Sequence, residues 1–319
     1  MKLNGANVMV TGAGGFVGPH LARVLAARGA RVHGLGLEPP AASAMLAGFR
    51  VTDLKDSAAI EAAIAAAPPE AIVHLAGQSS AAASFEQPVE TFAVNALGTW
   101  NLLEAARRAA PRSRVLIVTS GEIYGPQPEG SRASEDTAFR PVSPYALSKA
   151  AADAFGAIAA EGGQDVIRAR SFGHTGPGQA PRFVVPSMAQ QIAAIEAGSG
   201  EPRLRVGNLE VTRDLTDVRD VADAYADLLE RGAGGAAYNV SSGRGVRLTD
   251  VIAALAGMSR VAVTIEPDPA RFRPADIPYL VGDPAAIHRD TGWQASIPLE
   301  RTLGDVLEEW RANFRSNSS

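Results

Sequence analysis

The chain has 319 residues, of which 46% are hydrophobic and 20% charged, and its formal net charge is −4 at pH 7. This length suits one large domain with a lobe or two modest domains, and the composition is ordinary for a globular protein with a buried core. The acidic balance argues against a general nucleic-acid binder, whose phosphate contacts favour a basic surface. Because the chain has no cysteine, disulfides, thiolate metal sites and a cysteine nucleophile are excluded.

Two further absences bear on location. No run of about twenty uncharged apolar residues occurs, so we expect no membrane span. Residues 1–5 lead directly into a strand-like run and lack the apolar core of a signal peptide. We therefore expect a cytoplasmic protein that binds neither nucleic acid nor a membrane, and we expect no metal site.

The first half of the chain alternates short β-rich runs with Ala- and Leu-rich stretches, which is the pattern of a parallel sheet covered by helices. A helix is predicted from Val17 to Gly29. Strands are predicted at 7–11, 31–37, just before Asp53, and at 71–75, 114–119 and 165–170. From about Ser171 proline and glycine become dense, which predicts a lobe of loops and short elements. A strand at 236–240 then returns to the sheet, and a helical tail covers 299–314.

A glycine-rich turn lies between the first strand and the first helix, in residues 11–18 (Thr-Gly-Ala-Gly-Gly-Phe-Val-Gly). Small residues here allow a tight turn, a close approach of backbone amides to a pyrophosphate, and close packing of the helix on the sheet. The helix N-terminus adds unpaired N–H groups and a partial positive charge. We therefore predict dinucleotide binding, with contacts from Gly12, Gly15, Phe16, Val17 and Gly18.

The adenosine end of the cofactor is less sharply marked. Asp53 and Leu54 follow the third strand, where Asp53 is placed to bond an adenine edge or, alternatively, to cap the helix from Ser57 onward. The ribose-binding acid expected near Gly36 is missing. Glu38 is placed either to reach the 2′-hydroxyl or to be solvated, and no basic residue there marks a 2′-phosphate pocket. NADH and NADPH both stay open as cofactors.

Tyr145 and Lys149 form a Tyr-x-x-x-Lys pair, which a helix would place on one face. A nearby ammonium, together with the positive charge of the cofactor when it is oxidised, is expected to lower the pKa of the phenol, which then gives or takes a proton at a carbinol or carbonyl oxygen. Lys149 is also placed to bond the nicotinamide ribose. Ser120, at the end of the fifth strand, would donate a second hydrogen bond to the same oxygen.

Taken in chain order, these motifs resemble the extended short-chain dehydrogenases. The resemblance rests on residues 11–18, His74-Leu-Ala-Gly77, Asn95-Ala-Leu-Gly98-Thr99, Ser120-Gly-Glu-Ile-Tyr-Gly125 and the Tyr145–Lys149 pair. It implies an α/β fold, with a Rossmann-type doubly wound parallel sheet and a smaller C-terminal substrate lobe, usually in a homodimer. It also implies a catalytic triad of Ser120, Tyr145 and Lys149.

The resemblance divides the chain into two parts. Residues 1–172 form the dinucleotide-binding domain, with a return segment at about 215–245, and residues 173–214 and 246–319 form a sugar-nucleotide-binding lobe. It adds cofactor contacts from Leu75, Ala76, Gly77 and Asn95. His74 is either a core histidine or faces the cofactor with its backbone, and Asn95 is either a cofactor contact or a helix cap.

Within this superfamily, four segments resemble the GDP-4-keto-6-deoxy-mannose reductases and their relatives, the GDP-mannose 4,6-dehydratases. They are His74-Leu-Ala-Gly-Gln78, Gly176-Pro-Gly-Gln179, Gly207-Asn-Leu-Glu-Val-Thr-Arg-Asp214 and Arg273-Pro-Ala-Asp276. The likeness implies a nucleotide-sugar substrate. Arg213 and Arg273 are then candidates to clamp its diphosphate, unless they are surface arginines. The remaining substrate contacts implied are Gln78, Ser120, Gly121, Glu122 and His174.

One departure concerns substrate identity. The family usually reads Arg-Pro-Phe-Asn after the sixth strand, and the Asn commonly contacts substrate. This chain has Arg170-Ser171-Phe172-Gly173 instead. The nucleotide base and the sugar therefore stay open.

The segment Ser120-Gly121-Glu122 bears on the reaction. Sugar-nucleotide 4,6-dehydratases resemble one another in carrying Thr-Asp-Glu or Thr-Ser-Glu here, and this chain keeps only the Glu. We expect NAD(P)H-dependent reduction of the C4 keto group of a GDP-4-keto-6-deoxyhexose, with Tyr145 as the proton donor. Glu122, as a catalytic acid or base, favours the rival GDP-mannose 4,6-dehydratase. An NAD-dependent sugar-nucleotide 4-epimerase is a third alternative. A non-catalytic dinucleotide sensor is disfavoured, because such proteins usually lose the Tyr or the Lys.

Overall fold

A computed structural model of the chain describes residues 1–40, 45–272 and 277–317. Seven strands form one sheet in the order β10-β6-β5-β4-β1-β2-β3, and every neighbouring pair in it is parallel. Its strands are β1 (Asn7–Thr11), β2 (Arg31–Gly36), β3 (Gly48–Val51), β4 (Ala71–His74), β5 (Arg114–Ser120), β6 (Val166–Ser171) and β10 (Ala237–Val240). The strands predicted for this sheet are all present. A helix-covered, parallel α/β sheet is thereby confirmed.

Eleven α-helices lie in the described ranges. They are α1 (Val17–Ala27), α2 (Ser57–Ala66), α3 (Ala81–Glu86), α4 (Pro88–Phe92), α5 (Gly98–Ala109), α6 (Pro144–Glu161), α7 (Val184–Glu196), α8 (Val218–Arg231), α9 (Leu248–Gly257), α10 (Ala285–Thr291) and α11 (Leu299–Asn317). Between α4 and α5 the chain forms a π-helical segment, Ala93–Leu97.

The sheet is covered on both faces because its central strands are apolar on both sides. In β1, Val8 and Val10 join the core that contains α1 and α8. The intervening Met9 joins the core that contains α2 and α5. Successive side chains of a strand point to opposite faces, so this division makes the sheet doubly wound.

The strand order reverses at β1, which pairs with β2 on one side and with β4 on the other. In open parallel sheets, ligands bind beyond the carboxyl ends of the strands at such a reversal. The residues that follow β1, β4 and β5 therefore border the same crevice.

The remaining strands form two smaller sheets. Strands β11 (Gly245–Arg247), β9 (Thr212–Asp217) and β13 (Tyr279–Leu280) pair side by side, and β7 (Gly173–Thr175) pairs with β9. Strands β8 (Arg203–Val206) and β12 (Thr264–Pro267) form a two-stranded sheet. Apolar residues of α7, α9 and α11 form a separate core beside them.

The expectation of loops and short elements after Ser171 is confirmed in part. Strands β7, β8, β11, β12 and β13 contain only two to four residues each, whereas α7 and α9 are regular helices of 13 and 10 residues. The other prediction for this region, a strand returning to the sheet, is confirmed by β10. Within the described part of the chain, no helix is both long and apolar enough to cross a membrane.

Candidate active site

The glycine-rich turn is shaped by close backbone contacts. Gly12 has a φ of +69°, and a Cβ there would lie 2.8 Å from both Cα and N of Ala76. A Cβ on Gly18 would collide with the carbonyl of Ala13, so α1 packs tightly behind the turn. The residue before α1, Phe16, provides no side-chain cap. The first amides of the helix are thus open to a diphosphate, as a bound dinucleotide requires.

Beyond β4, the segment of residues 75–78 passes between the turn and the π-helical segment. A Cβ on Gly77 would lie 2.7 Å from Oδ1 of Asn95 and 3.3 Å from Nζ of Lys149. The predicted cofactor contacts Leu75, Ala76 and Gly77 therefore lie between the turn and the helix that carries Lys149.

Asn95 holds this segment with its amide. Its Oδ1 accepts a hydrogen bond from the backbone N of Gln78 at 2.8 Å, and its Nδ2 donates to the Gln78 carbonyl at 2.9 Å. Nδ2 also donates to Oγ of Ser148 at 3.0 Å. Asn95 lies inside the π-helical segment, so the helix-cap alternative is wrong. π-Helical turns are frequent at functional sites.

The adenosine end shows one correction. Oδ1 of Asp53 accepts from the N–H of Lys55 at 2.9 Å, while Asp56 caps α2 by accepting from Ala59 N at 2.9 Å. The prediction that Asp53 caps this helix is therefore wrong, because Asp56 stands at the first turn. Leu54 is buried, and Gly98 of α5 lies close to its Cβ.

The predicted triad is brought together at the carboxyl end of β5. Ser120 ends that strand, and Tyr145 and Lys149 lie one turn apart near the start of α6. Ser143 caps α6, because its Oγ accepts from Ala146 N at 3.0 Å. Oγ of Ser120 accepts from the N–H of Glu122 at 3.2 Å, which leaves the Ser120 proton free to be donated elsewhere.

Burial sets the proton affinities of the pair. It raises the pKa of Tyr145, and the negative charge of Glu122 raises it further, while a hydrogen bond with Ser120 lowers it. Burial lowers the pKa of Lys149 to about 8. In the protein without cofactor the pKa of the phenol is therefore raised, and a lowering by Lys149 together with the charge of an oxidised cofactor stays a prediction. The Lys149 ammonium donates to the Val118 carbonyl at 3.2 Å.

Gly121 is confined by an aromatic ring. A Cβ at this position would lie 2.8 to 2.9 Å from three atoms of the Phe172 ring, which is itself buried. Glu122 follows in a short 3-10 turn, Gly121–Tyr124. The backbone at this corner of the site therefore leaves no room for a side chain before Glu122.

The predicted substrate contacts are more scattered. The His174 ring stacks on Phe16 with 6.0 Å between centroids, and its Nδ1 lies 3.0 Å from the Phe172 carbonyl. The Gln78 amide donates to the Ser80 carbonyl at 2.8 Å. Nη1 of Arg213 donates to the backbone carbonyls of residues 212 and 277. Arg273 lies outside the described residues.

Several buried polar residues next to the site were not found by sequence reasoning. The Arg170 guanidinium forms two hydrogen bonds with the Asp153 carboxylate, at 2.9 and 3.0 Å, and Thr119 donates to the same carboxylate at 3.2 Å. The only signal for them in the sequence is the charge of Arg168 and Arg170 in β6, whose other residues apart from Ser171 are apolar. Such charges are buried only when paired.

A doubly wound sheet, a glycine-rich turn at its crevice and a Ser–Tyr–Lys group at the end of β5 define an NAD(P)-dependent enzyme of the extended short-chain dehydrogenase type. The chain belongs to the GDP-mannose 4,6 dehydratase family, whose sequence model matches residues 9–306. The predicted fold class, family and kind of enzyme are thereby confirmed.

Curated relatives cover nearly the whole chain. The GDP-6-deoxy-D-mannose reductase of Pseudomonas aeruginosa is 37% identical over 313 residues, which span 97% of this chain and 98% of that protein. The GDP-mannose 4,6-dehydratase of Vibrio cholerae is 27% identical over 357 residues, which span 96% and 93%. The reductase is thus markedly more similar to this chain than the dehydratase.

Solved structures agree with the sequence relatives. RMD from Pseudomonas aeruginosa, solved in complex with NADPH, has a TM-score of 0.85 and 35% identity, covering 97% of this chain and 99% of that one. UDP-glucose 4-epimerase from Thermus thermophilus, solved with NAD, has a TM-score of 0.86 and 32% identity, covering 96% and 99%. Both dinucleotides occur among these neighbours, in agreement with the predicted use of NAD(P)H.

Proposed function

We propose that this protein reduces the C4 keto group of a GDP-linked 4-keto-6-deoxyhexose with NAD(P)H. The observation that carries the proposal is the site around Ser120 and Tyr145, where Tyr145 is the proton donor. At position 121, where the dehydratases carry Asp or Ser, this protein has glycine. The similarity to the Pseudomonas reductase supports the same reaction.

The residues fit a reduced nicotinamide cofactor, which supplies a hydride to the C4 carbonyl carbon when bound. The open start of α1 would hold its diphosphate, and Lys149 would bond its ribose. Ser120, whose proton is not used by Glu122, polarises the carbonyl oxygen by hydrogen bonding. Tyr145 then delivers the phenolic proton to that oxygen as negative charge develops.

Tyr145 holds its proton through the neutral range in the protein without cofactor. An unperturbed phenol has a pKa of about 10, and burial raises the pKa of Tyr145 further. The phenol is therefore available as the proton donor at neutral pH.

The dehydratase alternative depends on Glu122 and requires an additional acid or hydroxyl. In this chain the preceding position is Gly121, and Phe172 occupies the space that a side chain would need. A dehydratase would therefore have to eliminate the C6 hydroxyl without the residue that its relatives carry there. The epimerase alternative uses the same triad, and the neighbour from Thermus thermophilus keeps it open for testing.

The decisive experiment mixes the purified protein with GDP-4-keto-6-deoxy-mannose and follows the absorbance of NADH and NADPH in separate reactions. We expect stoichiometric oxidation of the cofactor and a GDP-6-deoxyhexose product. No consumption with either cofactor would contradict the proposal. GDP-mannose with trace NAD(P) is the counter-test, because formation of a 4-keto product there would identify a dehydratase.

Glu122→Gln separates the two reactions a second way. If the protein is a reductase in which Glu122 transfers no proton, the rate of the variant stays within about tenfold of wild type. If Glu122 is a catalytic acid or base, the rate falls by about 10²–10⁴-fold. The rate is measured with GDP-4-keto-6-deoxy-mannose and with GDP-mannose under the same conditions.

We also propose a homodimer, in which α4, α5 and α6 provide the contact. Exposed apolar side chains on or beside these helices support it: Val89, Leu97, Leu147 and Ile158. Sedimentation equilibrium of the wild type and of Leu147→Lys tests it, since a charge in the interface should shift the dimer toward monomer.

The proposal also includes a cytoplasmic location and a division into two parts. Residues 1–172 with 215–245 would form the dinucleotide-binding domain, and residues 173–214 with 246–319 the sugar-nucleotide-binding lobe.

A further inference from the structure

His74 is the last residue of β4 and is buried directly beneath the proposed cofactor crevice. Only 2% of the residue is exposed. Its Nδ1 lies 2.7 Å from Oγ1 of Thr11, and its Nε2 lies 3.1 Å from Oγ1 of Thr99. The imidazole thus joins the end of β1 to the first turn of α5.

The contacts of Thr11, His74 and Thr99 form a chain of hydrogen bonds, and the direction of each bond follows from the partners at the two ends of this chain. Oγ1 of Thr99 donates to the Asn95 carbonyl at 2.6 Å, and a carbonyl can only accept. The Thr99 oxygen must therefore accept from His74, which places a proton on Nε2. At the other end, Oγ1 of Thr11 accepts from the N–H of Ala76 at 3.1 Å and donates its own proton to Nδ1.

Only the neutral imidazole with its proton on Nε2 satisfies this chain. A second proton, on Nδ1, would meet the Thr11 oxygen and leave the Thr11 proton without its acceptor in a buried site. Burial and the positive charge of Lys149 act in the same direction, lowering the pKa of His74 to about 3. The imidazole is therefore fixed in one tautomer and does not titrate near neutrality.

The two ends of the chain enclose the segment of residues 75–78. Thr11 holds it at the N–H of Ala76, and Asn95, whose carbonyl ends the chain, holds it at both backbone groups of Gln78. The Asn95 amide also bonds Ser148, whose Oγ donates to the Tyr145 carbonyl at 2.7 Å. One continuous set of hydrogen bonds thus runs from the glycine-rich turn to the helix of the catalytic pair.

We infer that His74 is a positioning residue, which through Thr11 and Thr99 fixes the segment of residues 75–78 between the glycine-rich turn and helix α6. It touches neither substrate nor cofactor in this role. It determines where Gly77, with Lys149 beside it, stands relative to the turn that would hold the diphosphate. The inference rests on the proposed function for its rate measurement only, since cofactor affinity can be measured without a sugar.

The test removes one hydroxyl of the chain and compares it with a matched hydroxyl elsewhere. Thr291 of α10 is also buried, donates to the carbonyl four residues earlier at 2.6 Å and accepts from Trp293 N at 3.1 Å. Thr99 has the same two distances to its own partners. Thr99→Val and Thr291→Val therefore lose equivalent hydrogen bonds, and only the first interrupts the His74 chain.

We expect both valine variants to lower the Tm by similar amounts. Thr99→Val should in addition raise the Kd for NAD(P)H, followed by cofactor fluorescence without substrate, and lower kcat, each about tenfold. Thr291→Val should change neither by more than about twofold, and Thr99→Ser, which keeps the hydroxyl, should restore most of both. Equal Tm losses without any change in Kd or kcat for Thr99→Val would reduce His74 to a core residue and overturn the inference.

A second measurement keeps the inference testable if Thr99→Val does not fold. Nitrogen NMR of the histidine rings in the wild-type protein should show one ring, absent from His74→Gln, that stays neutral and protonated on Nε2 down to about pH 5. A His74 ring protonated on Nδ1, or one that titrates near the usual pKa, contradicts the chain. If the sugar proves to be the wrong substrate, the cofactor Kd and the NMR signal still decide.

Discussion

The turn at the end of β1 and the strand β9 are both held in place from a distance in sequence, but by different means. At Gly12 the contact is between backbones, with Ala76 so near that no side chain fits. At Asp214 of β9 a buried carboxylate bridges the gap and accepts from Ser242 N and Oγ and from the N–H groups of Gly243 and Gly282, at 2.6 to 3.3 Å. The first arrangement is sensitive to added atoms and the second to a change of charge or hydrogen-bonding type.

The largest effect is expected for a substitution that changes neither the backbone contact at Gly12 nor the carboxylate bridge at Asp214. Tyr145→Phe removes one hydroxyl from a helix whose cap and packing stay intact, so the protein should fold with an unchanged Kd for NAD(P)H. Loss of the proton donor should lower kcat by about 10³-fold, within the range for general acid catalysis. Tyr238→Phe is the matched control, since this buried tyrosine bonds Asp290 at 2.8 Å on another side of the molecule. A Tyr145→Phe enzyme with full activity would remove the proposed mechanism.

The backbone contact is tested by Gly12→Ala. The added Cβ would lie 2.8 Å from Ala76 and would also be forced into a positive φ, so the turn must shift. We expect the Kd for NAD(P)H to rise about 100-fold, corresponding to about 2.7 kcal/mol. Gly130→Ala is the matched control, because Gly130 has a φ of +79° and nothing within 4 Å of the added Cβ. This control measures only the cost of placing an alanine at a positive φ. Similar Kd values for the two variants would show that the contact with Ala76 has no effect.

The same contrast explains which features the sequence could predict. The strands, the turn and the Ser120–Tyr145–Lys149 group depend on short spacings, such as the four residues that place Tyr145 and Lys149 on one helical face. The raised pKa of Tyr145 depends on burial by residues far along the chain, and a spacing carries no information about it. Strand β9 was missed for a related reason: Thr212–Asp217 contains one apolar residue, so no alternation of apolar residues marks it.

The carboxylate support in the lobe is tested by Asp214→Asn. In the variant an amide nitrogen, which cannot accept a hydrogen bond, replaces one acceptor oxygen and faces N–H donors. The negative charge of the buried carboxylate is lost as well. We expect the free energy of unfolding to fall by about 2 kcal/mol, measured by urea denaturation, with the Kd for NAD(P)H within about twofold of wild type. Asp250→Asn, at an exposed side chain paired with Arg247, should cost less than about 1 kcal/mol. Equal losses for the two variants would contradict the bridging role of Asp214.

The smallest effect concerns the pH dependence of the unchanged enzyme. Lys149 has a pKa of about 8 in the folded protein, against an ordinary value of 10.5, so its ammonium is half lost at about pH 8. If the ammonium holds the ribose, kcat/KM in steady state should be about twofold lower at pH 8 than its neutral plateau and fall further above it. Tyr145 does not account for this limb, because its pKa is shifted upward.

Above about pH 8, where kcat/KM is expected to fall, the contribution of Lys149 to the stability of the free protein should rise. Between about pH 8 and 10.5 the unfolded chain holds the Lys149 proton while the folded protein releases it, so the lysine contribution to stability grows as pH rises. Thermal unfolding of wild type and Lys149→Met across this window isolates that contribution, which the methionine cannot make. A wild-type enzyme that gained stability over Lys149→Met with rising pH while losing kcat/KM would show that burial of the ammonium lowers stability and is retained for the reaction. Parallel curves for the two proteins would instead place the Lys149 pKa near its ordinary value.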